Sequence, residues 1–278
     1  MDSVTFRIPA TTANLGPGYD ALGVALRVFN HVTVRRKADA KIDAMPAAAA
    51  ERFFAAAKAR PFPFAWNIEG DVPRSRGMGS SVTVRLGLLA GLNELAGAPL
   101  DRTALFAICA ELEGHPDNAA PAAFGGFTVA GGKEVARFEV GPELHFVMLI
   151  PDFEISTPDA RRALPDTIDR LGAARSCANA CRITAAFASG NYEMLAGSFE
   201  DHLHQPYREQ ALIPFLSAVI RAGEKAGALG GFLSGSGSTI CCVTLEEPAP
   251  VVSAMLAAAP TGARAIVAQA DNCGAGEI

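Results

Sequence analysis

What the chain lacks narrows its function first. No apolar run is long enough to cross a bilayer. The opening residues, Met1 to Arg7, carry no apolar signal core, so the expected location is the cytoplasm. There is no basic excess. The 24 Lys and Arg stand against 29 Asp and Glu, a net charge of −5, so neither nucleic acid nor an anionic membrane surface is an expected partner. Six cysteines are present and none forms a C-x-x-C pair. Cys109, Cys177, Cys181, Cys241, Cys242 and Cys273 read as free thiols of a reducing compartment, mostly small buried residues. Cys177 and Cys181, one helical turn apart, with a distant histidine form the one alternative metal site. No internal repeat or long low-complexity tract occurs.

The chain does have size and apolar content. Its 278 residues, half of them hydrophobic and 19% charged, suit a folded two-domain protein. Val4–Ile8 reads as a strand ending at Pro9, followed by a loop over residues 11–20 and a second strand over Ala21–Val34. Ala47–Ala59 reads as a helix stopped by Pro61 and Pro63, and Trp66–Gly70 as a short strand. A helix runs from about Ser80 to Ala96, capped by Ser80 or Ser81, with Val84, Leu88, Leu92 and Leu95 on one face. A further helix covers Thr103–Glu113. Strands at 127–129 and 136–140 flank a Gly131-Gly132 turn. His145–Ile150 is a fully apolar strand, and a domain boundary is placed near residue 142. The second half reads as helices around 160–164, 175–188, 192–202 and 213–226. A strand over 238–245, a helix over 248–259 and an edge strand near 264–269 complete it. Strands and helices in this order define an α+β class or split βαβ sandwich.

Three Gly/Ser/Asn-rich loops carry the chemistry: Pro9–Asp20, Pro73–Ser81 and Leu233–Thr239. The second opens directly into an apolar helix, so its N–H groups can face an anion at a helix N-terminus. No Gly-Lys-Ser/Thr follows, which excludes the Walker loop. Between the second and third loops lies Glu113-Gly-His-Pro-Asp-Asn118. Taken singly, these residues keep ordinary alternatives. Glu113 and Glu111 also read as solvated helix glutamates, Arg161 as a surface arginine beside Arg162, and His115 as a helix-ending histidine satisfied by backbone.

In combination the loops resemble the GHMP kinases. Pro9-Ala-Thr-Thr-Ala-Asn-Leu-Gly-Pro-Gly-Tyr-Asp20 is similar to that family's first motif, Arg76-Gly-Met-Gly-Ser-Ser81 to its phosphate loop, and Gly227–Thr239 to its third motif. Glu113–Asn118 with the following Ala-Ala-Pro121, Thr157–Pro165 and His204-Gln-Pro-Tyr-Arg208 are similar to stretches of the branch that phosphorylates L-homoserine. The resemblance covers nearly the whole chain. It implies a two-domain GHMP kinase fold, with a ribosomal protein S5 domain 2-like N-terminal domain over 1–142 and a ferredoxin-like C-terminal domain over 143–278.

The resemblance also implies ATP and Mg²⁺ as cofactors and direct phosphoryl transfer to a small alcohol. Arg76, Gly77, Met78, Gly79, Ser80, Ser81, Gly235 and Gly237 fall on nucleotide-binding positions. Ser81 (or Ser80) and Glu113 (or Glu111) would ligate the metal. Asp20 and Asn14 would meet an ammonium, Arg161 and Arg208 a carboxylate, and Asn118, with His115 nearby, the reacting hydroxyl. Asn118, Glu113 and Ser81 would be the catalytic set, without a strong general base, and Asp117 would be structural. A homodimer is common among such relatives. Val82-Thr83 stands where the family usually has alanines, and Tyr19 where phenylalanine is common. The short, alanine-rich region between Asp39 and Trp66 would contribute to the adenine side. The alternatives are a GHMP kinase for another alcohol and a binding protein that kept the fold without turnover. An unpaired Asp20 argues against a substrate lacking an ammonium.

Overall fold

The computed structural model describes residues 2–37, 41–132 and 134–278. Asp39 lies outside the described residues. The first sheet is antiparallel throughout. Strands β1 (Ser3–Ala13) and β2 (Leu22–Arg36) form its centre. β3 (Phe64–Gly70) pairs with the far half of β2, and β4 (Phe127–Gly131) with its near end. β5 (Glu134–Phe138) closes that side. β1 runs past Pro9 to Ala13, beyond the expected stop. A register shift between Pro9 and Ala10 places the proline at a bulge, where a missing ladder N–H is tolerated.

Four helices cover one face of this sheet: α1 (Ala44–Ala57), α2 (Ser80–Leu95), α3 (Arg102–Glu113) and α4 (Ala119–Phe124). α2 is the central one. Gly87 and Gly91 let it lie directly on β2, since a Cβ at either would come within 2.6 Å of Val32 or Val34 side chains. Leu88, Leu89 and Leu92 fill the layer with Phe53 and Phe106.

The second sheet has the order β7-β8-β6-β9, all antiparallel. β6 (His145–Ile150) is followed by α5 (Thr157–Arg162), α6 (Arg170–Ser189), α7 (Gln205–Ala211) and α8 (Leu216–Lys225). β7 (Gly230–Leu233), β8 (Ile240–Thr244), α9 (Pro248–Ala258) and β9 (Arg264–Ala268) follow. This is a ferredoxin-like βαββαβ arrangement with an expanded first crossover. The chain then returns to the first sheet, where β10 (Gly276–Glu277) pairs with β1. α4, α7, β7 and β10 are short elements that the sequence pattern does not announce.

The expected helix over 192–202 is one 3₁₀ turn, Tyr192–Leu195, followed by irregular chain. Ala196 leaves helical backbone with ψ 125° and Gly197 turns left-handed at φ +68°, which ends the helix there. The Asp201 carboxylate then accepts the N–H groups of Leu203, His204 and Gln205 at 2.7–3.0 Å on the way into α7.

Two further cores follow, one joining the halves and one inside the second half. One lies between the sheets and includes Leu22, Met78, Phe127, Phe146, Met148, Phe187 and Cys241. Phe127 and Phe187 stack at 4.1 Å. The other lies beneath α8 and α9 and includes Val147, Leu149, Val219, Ile240, Cys242 and Met255. Cys241 and Cys242 thus face opposite sides of β8. Cys109, Cys241 and Cys242 are buried and burial raises all three thiol pKa values, that of Cys242 to about 12. Cys177, Cys181 and Cys273 are exposed, which corrects the reading of the set as mostly buried. Among the described residues, no helix is long and apolar enough to cross a membrane.

Candidate active site

The three glycine-rich loops and the 114–118 connection converge on one cavity of about 620 Å³ between the two halves. On the N-terminal side it is lined by Gly77, Gly79, Ser80, Ser81, Glu113 and Asn118. The C-terminal side adds Arg161, Arg208, Gly235 and Ser236. Met45, Trp66, Ile68 and Val84 form an apolar stretch of the same wall.

The phosphate-type loop is packed too closely for side chains. Gly77 and Gly79 have φ of +74° and +68°. A Cβ would lie 2.2 Å from the Ser234 carbonyl in the first case and 2.1 Å from Thr11 Oγ1 in the second. Ser234 Oγ donates to the Gly77 carbonyl at 2.7 Å, and Thr239 N–H donates to the Arg76 carbonyl at 3.1 Å. The third loop therefore braces the second.

α2 starts from Gly79 and has no side-chain cap, which corrects the expectation that a serine caps it. Ser80 and Ser81 instead line the cavity, and the first-turn N–H groups stay open to an anion. Thr83, the departure from alanine, is buried. It donates to the Ser80 carbonyl at 2.8 Å and accepts from Asn30 at 2.9 Å.

Two residues expected at the nucleotide do not line the cavity. Met78 is fully buried in the inter-sheet core. Gly237, at φ +91°, packs against Ile213, Leu233 and Ile155. Arg76 lines the cavity, but its guanidinium is spent on the Pro151 carbonyl at 3.2 Å and on Glu154 at 3.3 Å. Its charge ties the loop to the end of β6.

At the opposite edge of the loop, Ser81 Oγ donates to Glu113 Oε2 at 2.9 Å, and Arg85 forms an ion pair with Glu113. Glu111 points outward and pairs with Arg52, so it is not beside Ser81. A hydroxyl and a carboxylate at this spacing suit a hard divalent ion, which takes one or two protein oxygens and completes its shell from phosphates and water. Asp20, His115 and Asp117 form the one cluster of three metal-capable side chains among the described residues. Cys177 and Cys181 join no such cluster.

The 14–20 turn is held in left-handed backbone at Asn14, Leu15 and Asp20. Asn14 donates to the Gly235 carbonyl at 3.0 Å and accepts the Asp20 N–H at 2.9 Å. Arg161 reaches Asp20 with both oxygens engaged, at 3.1 and 3.2 Å, and also donates to the Tyr19 hydroxyl. Tyr19's own pKa is raised, first by burial and then by Asp20.

Arg208 is buried, 3% exposed. Its Nε donates to the Ala160 carbonyl at 3.2 Å, and its Nη1 to the Gly235 carbonyl at 2.9 Å and to His204 Nδ1 at 3.2 Å. Nη2 has no protein partner among the described residues, and Arg208 lines the cavity. Burial lowers its pKa. The contacts of His204 fix its tautomer: Nε2–H donates to the Gly16 carbonyl at 2.8 Å and Nδ1 accepts from Arg208. Burial drives its pKa down to about 4, against the pull of Asp201. Sequence reading assigned His204 no role, because its Gly16 partner lies 188 residues away.

Asn118 accepts from Thr11 Oγ1 at 2.7 Å. Asp117, also buried, accepts the Asn118 N–H at 2.9 Å and pairs with His115. Burial opposes charge on His115. The Asp117 hydrogen bond and the charges of Asp117, Asp20 and Glu113 outweigh it, so its pKa is raised.

Family models for the GHMP kinases N-terminal domain and the GHMP kinases C-terminal domain match residues 44–126 and 183–261. With the fold and this site, they establish that the chain belongs to the GHMP kinase family. The homoserine kinase of Synechococcus sp. is 40% identical over 270 residues, covering 90% of this chain and 88% of its own. That of Clostridium beijerinckii is 37% identical over 260 residues, covering 88% and 87%. The crystal structure of homoserine kinase from Cytophaga hutchinsonii superposes with a TM-score of 0.90 at 25% identity, covering 100% of this chain and 98% of that one. A mevalonate kinase structure shares the fold alone, with a TM-score of 0.69 at 12% identity. Within the family, the chain groups with the homoserine kinases.

Proposed function

We propose that this chain transfers the γ-phosphoryl group of ATP to the hydroxyl of L-homoserine, giving O-phospho-L-homoserine and ADP. The observation that carries the substrate is the joint placement of Asp20, Arg161 and Arg208 on one wall of the phosphate-loop cavity. An α-amino acid brings one ammonium and one carboxylate. Asp20 takes the ammonium, with Asn14 fixing the backbone beneath it. Arg161 and the free Nη2 of Arg208 take the carboxylate. The Asp20–Arg161 pair opens to admit a ligand of the same two charges, so each of the two groups keeps an opposite charge beside it.

The adenine lies against Met45, Trp66 and Ile68, and the phosphates on the N–H groups of residues 77–82. Ser81 and Glu113 would hold Mg²⁺, which would supply neutralisation of the phosphate charge that builds in a loose transition state. The chain's own contribution is placement. The α2 N-terminus and the glycine loop complement the anion without rearranging. Asn118, held by Thr11 and Asp117, orients the attacking hydroxyl. No side chain serves as a strong base in this reading: the hydroxyl oxygen bonds to the γ-phosphorus as the bond to the ADP oxygen breaks, and its proton passes late to an oxygen of the transferred phosphoryl group and then to water.

ADP release from MgATP tests this, with L-homoserine set beside mevalonate, L-serine and a blank. Release with L-homoserine, with phosphohomoserine confirmed by mass, is the expected result. Release with another alcohol alone would keep the kinase and void the roles of Asp20, Arg161 and Arg208. ATP binding without release would favour a non-catalytic relative.

A further inference from the structure

One charged side chain is committed to the site without lining it. Arg85 lies one turn after Ser81 on α2 and forms its ion pair with Glu113 through Oε1. Ser81 Oγ holds the other oxygen, Oε2, at 2.9 Å. The Glu113 side chain is only 8% exposed and that of Arg85 22%. Ser81 and Glu113 line the cavity and Arg85 does not, so the guanidinium backs the carboxylate from behind.

Two consequences follow. Both carboxylate oxygens are fixed before any ligand arrives, as outer-shell partners fix metal ligands elsewhere. The local charge is also balanced, with one negative group, one positive group and a neutral hydroxyl. A divalent ion offered only this pair meets little net attraction, whereas the nucleotide phosphates bring several negative charges at once. The neighbouring acids are engaged too, Asp20 by the Arg161 guanidinium and Asp117 by its contact with His115.

We propose that Arg85 is a positioning residue that keeps Glu113 aimed and charge-matched, so that the divalent ion enters with the nucleotide and not ahead of it. This rests on Ser81 and Glu113 being the metal ligands.

Free Mn²⁺ binding to the full chain, read by electron paramagnetic resonance without nucleotide, tests it. The wild type should take up little Mn²⁺, and Arg85→Met should bind it about tenfold more tightly once the opposing charge is gone. The gain should vanish in Arg85→Met/Glu113→Gln. Arg85→Gln, which keeps a donor toward Glu113 without the charge, serves if the methionine variant does not fold. Unchanged Mn²⁺ affinity in the charge-free variants would overturn the proposal, as would tight Mn²⁺ binding by the wild type alone. Mn²⁺ binding to the ADP complex of Glu113→Gln separates the two readings. Weakened binding there keeps Glu113 as a ligand whatever Arg85 does, and unchanged binding removes the ligand assignment itself.

Discussion

Asp20 and Arg161 are 141 residues apart in sequence, yet both carboxylate oxygens of the first lie 3.1–3.2 Å from one nitrogen of the second. The pair joins the first glycine-rich turn to α5 across the mouth of the cavity. Both side chains are partly exposed, 32% and 42%, so water screens the pair and it contributes little to stability. Its value lies in what can replace it. A zwitterion inserted between the two groups presents each with an opposite charge.

Asp20→Asn should therefore leave folding nearly unchanged and impair amino-acid recognition. The expected result is a rise in KM for L-homoserine of about tenfold to a hundredfold, in line with roughly 1.5–3 kcal/mol for a hydrogen bond to a charged group. The KM for ATP should stay put. Steady-state kinetics with each substrate varied in turn decides this, and equal rises in both would show that Asp20 supports the cavity in general.

Arg208 is the more buried of the two arginines proposed to hold the carboxylate, and its substitution should do two things at once. Arg208→Ala should raise the KM for L-homoserine steeply, a loss of about 2–5 kcal/mol in substrate binding. It should also lower Tm, because Ala160 and Gly235 carbonyls and His204 Nδ1 lose a buried donor. Arg161→Ala, more exposed, should affect KM less and Tm hardly at all. If the Tm falls for Arg208→Ala and the KM does not move, the residue is structural and the carboxylate is held elsewhere.

His204 ties the same arginine to the Gly16 turn, and its neutrality makes a pH prediction. The unfolded histidine titrates near 6.5 and the folded one at about 4. Below pH 6.5 the unfolded state binds the extra proton, so stability falls as pH drops from about 6.5 toward 4. The loss is on the order of 3 kcal/mol at the bottom of that window. His115 has the opposite sign. Its raised pKa stabilises the fold below 6.5 and that contribution fades as pH climbs through the folded value. The two effects thus separate on either side of pH 6.5. Urea unfolding of wild type and His204→Gln across pH 4–7 tests the first. A slope unchanged by the substitution would assign the acid sensitivity to other groups.

The glycine loops are legible as loops, because backbone that approaches phosphates closely carries glycine and serine, whereas Glu113, Asn118 and Arg208 are picked out only by resemblance to the GHMP kinases. Gly77, Gly79, Ser81, Glu113, Asn118 and Arg208 all line the cavity. The sequence is silent where contacts come from afar. Nothing near Met78 shows that it points into the inter-sheet core, or that Arg76 is drawn away by Glu154. The Arg85–Glu113 pair has no local signal, since two separate helices make it, and neither has the His204 bond to Gly16, although Arg208 lies only one turn from His204. In the fold, long apolar elements such as β6 and α2 are legible. α7 and β7 are too short for a period to show. The break after Leu195 comes at Ala196 and the left-handed Gly197, and one glycine in an otherwise helical run does not announce it.

Gly79 is where local backbone and catalytic placement meet most closely. Its φ of +68° already disfavours any L side chain. A methyl group there would also stand 2.1 Å from Thr11 Oγ1 and 3.4 Å from Asn118 Oδ1. Thr11 is the residue that holds Asn118 by its hydroxyl at 2.7 Å. Gly79→Ala should therefore displace both the backbone proposed to meet the phosphates and the group proposed to orient the hydroxyl, and kcat should fall by about a hundredfold with poorer ATP binding, as for a misplacement of about 1 Å. Gly97→Ala is the matched control. It has φ +87° but open space around the new methyl, so it carries backbone strain of about 1–2 kcal/mol and no displaced neighbour. Its Tm should drop while kcat and both KM values hold. If the two variants lost activity alike, strain transmitted through α2, not the contact with Thr11, would be the cause, and the placement of Asn118 would have to be sought from another neighbour.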